Sequence, residues 1–258
     1  MINDILTMIW KENLEYSNQS KNLREKITGM IFPFLSLGLL AIVPPLSLGS
    51  DWIKSPFSLV ISILVPLITV TMSIPLSLVG ERERKTLETL FASRLPDRAI
   101  LFGTMFPPII RASKISFFVH LVSLVTYNIA QWSGNLSFYP SEILFANLAT
   151  IILLSISAAS LGVLVSLQTT SLRQAMNYLN AILMAPVIIF GIAIYLIGNV
   201  FPDPWRVAFE NWFEKEVMTA NFQQVFTTIS FVLLLITLIL LVLVLLRFKR
   251  SLVKPDCS

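Results

Sequence analysis

Apolar residues in this chain gather in long blocks separated by short polar breaks. Six runs stand out: Ile27–Leu48, Phe57–Gly80, Ile115–Trp132, Glu142–Leu167, Met176–Asn199 and Val225–Leu246. Each is long enough to cross a hydrocarbon core of about 30 Å as a helix. The pattern predicts an all-α membrane protein, one transmembrane domain over residues 1–258 with six transmembrane helices. Leu101–Ile110 is apolar too, so a start near Leu101 is the alternative for the third span, one that would carry Arg111 and Lys114 into the membrane boundary. Prolines fall inside several spans (Pro44, Pro45, Pro66, Pro75 and Pro186) and read as packing kinks, which neighbouring helices tolerate in lipid.

The pattern changes after the second span. Leu87, Leu90 and Phe91 recur at i, i+3 and i+4, a narrow apolar stripe on a helix. Glu81 with Lys85, and Arg84 with Glu88, are i, i+4 pairs of opposite charge that support a short exposed helix. Pro96 is expected to end it, and Asp97 to cap a second helix starting at Arg98. Residues 81–114 thus form a polar region headed by a short amphipathic helix across one mouth of the bundle. Between the fifth and sixth spans, in residues 200–224, Trp205, Phe209, Trp212 and Phe213 recur at i, i+4, i+7 and i+8. An aromatic belt at a membrane interface accounts for that face.

Composition sharpens the class. Hydrophobic residues make up 55% of the 258 and charged ones 13%, against about 25% charged in soluble domains, and mean hydropathy is +0.77. Soluble enzymes, secreted disulfide scaffolds and disordered chains are excluded. The single cysteine, Cys257, allows no intrachain disulfide, and the first 26 residues lack the short basic region and apolar core of a cleavable signal. Sixteen of the nineteen basic residues fall on one side of the predicted topology, and only Lys54, Arg206 and Lys215 on the other. Positive-inside bias puts both termini in the cytosol of a multi-pass cell-membrane protein. The basic balance reflects topology and implies no nucleic-acid partner.

The spans carry little chemistry. All five aspartates (Asp4, Asp51, Asp97, Asp203 and Asp256) fall in predicted loops or termini, and Glu142 stands at a span edge. Ion-coupled transporters need intramembrane carboxylates or histidines. This chain offers one histidine, His120, read as a packed or hydrogen-bonded residue. One histidine cannot build a multi-imidazole zinc site, and no H-E-x-x-H or G-x-S-x-G is present. Gly80 ahead of Lys85 and Thr86 lacks the second glycine of a phosphate loop and follows a span, so no ATP site is read there. Uphill transport by this chain would draw its energy from elsewhere.

The order Glu81-Arg82-Glu83-Arg84-Lys85-Thr86-Leu87-Glu88-Thr89-Leu90 resembles the E-x-E-x-G-T-x-E-x-L segment of the ABC-2 type transporter permeases, the membrane subunits of one class of ABC exporters. The departure is Lys85, where that family often has glycine; lysine suits a helix at least as well. Trp10-Lys11-Glu12 followed by Arg24 resembles the family's N-terminal interfacial helix, here within residues 1–26, with Ile2, Ile5, Leu6, Ile9 and Leu14 as its apolar stripe. Arg173-Gln174-Ala175, with Pro186 beyond, resembles the family's short loop between spans four and five.

The resemblance implies a coupling helix docking on a separate ATP-binding subunit, with ATP and Mg on that partner, and no catalytic residue, metal or cofactor on this chain. It assigns the contact to Glu81, Arg82, Glu83, Arg84, Thr86, Leu87, Glu88, Leu90 and Phe91, charges giving register and apolar residues anchorage. A second permease chain, identical or related, is expected alongside in the bilayer. Short re-entrant helices in the family's outer loop imply that Trp205, Phe209, Trp212 and Phe213 form a lid over an exit path. The alternative, from another class, is a non-transporting scaffold or assembly factor whose cytosolic helix docks a different partner.

Overall fold

A computed structural model of the chain describes residues 2–18, 23–54, 56–86, 95–132, 134–200, 202–213 and 222–248. All regular structure among them is helical. The order is α1 (Ile2–Asn18), α2 (Leu23–Leu48), α3 (Ser50–Lys54), a 3-10 turn (Pro56–Ser58), α4 (Leu59–Glu83), α5 (Asp97–Ala130), α6 (Ser141–Gln168), α7 (Leu172–Asn199), α8 (Asp203–Phe213) and α9 (Phe222–Arg247). Five helical stretches among the described residues are long and apolar enough to cross a membrane: Leu59–Glu83, Asp97–Ala130, Ser141–Gln168, Leu172–Ile197 and Phe226–Arg247. Leu35–Leu48, within α2, is a shorter apolar stretch.

Two boundaries differ from the sequence expectation. The helix expected to start at Arg98 begins at Asp97 and, instead of stopping before the third apolar run, continues unbroken through Arg111 and Lys114 into it. At 1.5 Å per residue its 34 residues reach about 50 Å, well beyond a hydrocarbon core. Helical structure therefore outlasts the apolar run, because Ile100, Leu101 and Met105 enter the same protein core as Met8 of α1 and Leu78 of α4. Asp97 is the first helical residue and Pro96 holds the cap position, so Asp97 acts on the helix dipole from inside the first turn. The second difference lies at the end of α4, which continues through Glu83 where a separate helix was expected to begin at Glu81.

α4 is the central helix. It packs most extensively on α6 and also on α5 and α7, while α2 lies against α5 and α9 against α6. In lipid there is no hydrophobic drive between helices, so close backbone approach and dispersion must hold them. The sequence of α6 supplies that: Ala158, Gly162 and Ser166 follow one another at four-residue steps and all are buried. A Cβ on Gly162 would stand 2.7 Å from Ile74 Cγ2 of α4. Across the opposite side of α6, Ser157 and Thr237 of α9 share a hydroxyl hydrogen bond of 2.7 Å.

α1 lies along the first half of α5. Met8 is 1% exposed and seated on Gly103, where any Cβ would overlap it. Leu6 and Leu14, of the apolar stripe expected along a helix at the membrane interface, are exposed in the single chain, together with Trp10. The face that α5 covers carries Met8 and Glu12 instead, because Gly103 leaves room for one side chain to reach the α5 backbone.

Replacing Gly162 by valine is expected to destabilise the bundle by about 1–3 kcal/mol, since the α4–α6 contact has no room for a branched Cβ. Thermal unfolding in mild detergent reads this as a lowered midpoint; an unchanged midpoint would remove the close approach from the account.

Candidate functional site

The end of the bundle that carries α1 gathers the charged residues of the Glu81–Thr86 segment. α4 stops there by a specific turn. The Arg84 N–H bonds the Gly80 carbonyl at 3.1 Å, the Lys85 N–H bonds Arg82 at 3.0 Å and the Thr86 N–H bonds Glu81 at 3.0 Å. The last two are the paired bonds of a helix C-terminus that closes through a left-handed residue. That residue is Lys85, with φ +58°. The glycine of the resembling permeases thus stands where the backbone turns left-handed, a conformation costing an L-residue about 1–2 kcal/mol. The helix compatibility of lysine is irrelevant at a position outside the helix.

Three consecutive side chains before this turn each bind a different element. Glu81 is 5% exposed, and its Oε1 takes the Lys11 ammonium of α1 at 2.8 Å. Its other carboxylate oxygen accepts the Thr86 hydroxyl. Arg82 Nη1 donates to the Thr169 carbonyl, in the turn between α6 and α7, at 2.5 Å. Glu83 Oε1 accepts the backbone N–H of Leu172 at 2.7 Å. Leu172 opens α7, so this carboxylate satisfies one of the N–H groups left over at a helix start and faces the positive end of its dipole. Ser171 caps the same terminus, its Oγ accepting from the Gln174 N–H at 3.3 Å.

Of the nine residues singled out in this segment, the structure brings the side chains of Glu81, Arg82, Glu83 and Thr86 into intrachain bonds, Glu83 and Thr86 while exposed, and leaves Arg84 on the surface. Leu87, Glu88, Leu90 and Phe91 lie outside the described residues. The expected i, i+4 pairing of Glu81 with Lys85 is replaced by the bond to Lys11, because Lys85 leaves the helix. Lys11 is the residue the sequence undervalued: it was noted only within Trp10-Lys11-Glu12. Thr169 and Leu172 take part through backbone atoms, which carry no sequence signature at all.

The opposite end of the bundle holds a buried polar cluster. His120 Nδ1 lies 2.9 Å from the Ser116 carbonyl and Nε2 lies 3.2 Å from Ser62 Oγ. Asn147 of α6 bonds Ser62 and Ser58 at 2.8 and 3.0 Å. The Trp52 indole donates to Ser123 Oγ at 2.6 Å. Asn128 exchanges two bonds with the backbone of Ser137, one at 2.9 and one at 2.8 Å, fixing the connection to α6. The Tyr139 phenol in that connection is pushed above its ordinary pKa by burial, the Ser123 hydrogen bond acting the other way. His120 therefore packs and bonds as the sequence suggested. α8 is held far more loosely. Trp205 is 67% and Trp212 55% exposed, Phe209 is half-buried with its ring 5.9 Å from that of Trp212, and Arg206 reaches both Asp203 and Glu210 at 3.7 Å. Phe213 ends this helix; its side chain lies outside the described residues.

Lys85→Gly is expected to stabilise the protein by about 0.5–1 kcal/mol, the left-handed strain removed less the added freedom of the unfolded chain. Lys85→Val is expected to destabilise it. Unfolding midpoints of the two variants should fall on opposite sides of the parent.

The model of the ABC-2 type transporter family matches residues 3–213, from α1 through α8. No curated relative and no solved structure matches the chain. The matched stretch holds Lys11, the Glu81–Thr86 turn and the α6–α7 connection, and the chain belongs to the ABC-2 type transporter family, as a membrane permease component and not the ATPase.

Proposed function

We propose that this permease is the membrane-spanning subunit of an ATP-driven exporter, working as a pair of chains and driven by a separate ATP-binding subunit that holds ATP and Mg. α2, α4, α5, α6, α7 and α9 are its six spans, both termini are cytosolic in the cell membrane, and the α1 end of the bundle faces the ATPase. The observation that carries the reading is the turn at Arg84–Thr86, which leaves the end of α4 exposed while the residues just before it are tied into the protein. A docking segment needs that combination of exposed surface and fixed base. Sixteen basic residues on one side of the six-span topology support the orientation.

In this reading the docking segment divides by role. Arg84 and Thr86, with Glu88, Leu90 and Phe91 beyond them, meet the partner. Charges there set register, and Leu87 and the aromatic ring anchor the segment. Glu81 is too deeply buried to meet a partner and fixes the base of the turn. At the far end, α8 closes the exit path, its exposed tryptophans touching an amphipathic cargo on release.

Affinity purification of the intact chain in mild detergent tests the partner. Wild type is expected to bring down an ATP-binding subunit in stoichiometric amount, and Arg84→Ala combined with Glu88→Ala to weaken that association at least about tenfold, near 1.4 kcal/mol. Recovery of no such subunit, by purification or by crosslinking in native membranes, would replace the exporter with a scaffold. Separately, Trp205→Ala with Trp212→Ala is expected to leave assembly intact and lower export; undiminished export removes the lid.

A further inference from the structure

The unbroken α5 carries two cations, Arg111 and Lys114, deep into the bundle. α4 and α5 lie antiparallel, and two contacts set their register. Ser62 of α4 faces His120 of α5 at 3.2 Å, and nearer the α1 end Leu78 shares a core with Ile100 and Leu101. Six residues back from His120, about 9 Å at 1.5 Å per residue, Lys114 stands level with Ile68 in the middle of α4. Arg111 stands one turn lower. α1 marks the near boundary: Met8 seats it on Gly103, about 16 Å from Lys114 along α5, and its exposed Leu6, Trp10 and Leu14 suit a membrane interface. The other end of α5, at Ala130, is about 24 Å away.

Lysine has a four-carbon stem with which to lift its ammonium towards water, and neither distance is within its span. Lys114 is exposed on α5 beside Ile110, Phe117 and Phe118, which are exposed as well. Arg111 is half-buried and engaged within the chain, so Lys114 is the open charge of the two. No acid on the described helices is placed to answer it. In α2, α4, α5, α6, α7 and α9 the acidic residues are Glu25, Glu81, Glu83, Asp97 and Glu142, each within three positions of a helix end. Asp4, Glu12 and Glu15 belong to α1, at the boundary. A second copy of the chain brings the same set, with no carboxylate in the middle of a span.

A charge at mid-membrane depth is costly and marks the route of a substrate or ion. Headgroups of the surrounding bilayer stay at its surfaces, so a phosphate or carboxylate comes level with Lys114 only while the molecule carrying it is crossing. We infer that Lys114 receives the anionic headgroup of an exported amphiphile, one bearing a phosphate or carboxylate, whose apolar chain lies on Ile110, Phe117 and Phe118. This rests on the exporter reading and adds to it the charge of the cargo. The ammonium gives a charge-assisted bond to either anion. It repels a cationic amphiphile of the same length.

The test uses the full permease with its ATP-binding subunit in phosphatidylcholine nanodiscs. The probes are dodecyl phosphate, dodecyltrimethylammonium and inorganic phosphate. Dodecyl phosphate is expected to bind the parent and raise ATP hydrolysis, the cationic amphiphile to do neither, and an equal concentration of inorganic phosphate not to displace it. Lys114→Gln is expected to weaken binding of dodecyl phosphate at least about tenfold and to lose the stimulation, while its unfolding midpoint stays that of the parent. Lys114→Arg is expected to restore both. Lys54→Gln, which removes an exposed cation elsewhere, should bind as the parent does. Equal binding by the parent and Lys114→Gln, equal stimulation by the cationic amphiphile, or displacement by inorganic phosphate overturns the inference and leaves the exporter reading standing. Binding that depends on Lys114 without any change in ATP hydrolysis assigns the site to a resident lipid and overturns the cargo. A parent that brings down no ATP-binding subunit overturns the exporter reading and the cargo with it.

Discussion

The close contact between α4 and α6 is the interaction on which the remaining structure depends. Inside a bilayer, burying apolar surface against protein gains nothing over burying it in lipid, so a helix pair must earn its stability from tight packing and internal polar bonds. α6 meets that demand with small residues at four-residue steps, ending in a Gly162 that lets Ile74 reach its backbone. With α4 fixed in this way, α5 and α7 pack on its other sides. The position of Glu81, Arg82 and Glu83 at the end of α4 is a consequence: they emerge beside the middle of α1 and where α6 ends and α7 begins.

That placement explains why an acidic and basic run beside a membrane can be largely intrachain. A carboxylate as buried as Glu81 is tolerable only with a cation and hydrogen bonds in place, and it has Lys11 and the Thr86 hydroxyl. Glu83 needs no burial to be useful, because the start of α7 offers unpaired N–H groups and a positive dipole end. The same run thus combines a bracket, made by its first three residues, with an exposed turn that begins at Arg84. The left-handed Lys85 lies within that turn.

The two ends of the bundle differ in how they are held. At the far end, α3, α4, α5 and α6 are pinned by a cluster of Trp52, Ser58, Ser62, His120, Ser123 and Asn147 whose side chains answer one another. Polar groups away from water must find partners inside the protein, and a satisfied cluster of this kind fixes the helices that share it. α7 and α8 contribute nothing to it. In the outer half of α7, from Ile188 to Leu196, every described side chain is exposed in the single chain and most are apolar.

Much of this was legible in the amino-acid order. Long apolar runs announce helices of membrane-crossing length because backbone polar groups in lipid have to be satisfied within the segment. The aromatic periodicity at Trp205, Phe209 and Trp212 fell on a helix, and His120 took the hydrogen-bonded role assigned to it. The Glu81–Leu90 order placed the family correctly. The start of α5 beside Arg98 was legible, but its continuity into the third apolar run was not, since its first half packs on α1, a contact without a local pattern. Nor was the packed face of α1, which depends on the gap at Gly103, ninety-five residues after Met8. Above all, local spacing paired Glu81 with Lys85, whereas tertiary structure gave it Lys11 and bound Arg82 and Glu83 to backbone atoms. Sequence specifies which groups need partners; a carbonyl or an N–H belongs to every residue, so only the arrangement of helices in space decides which ones answer.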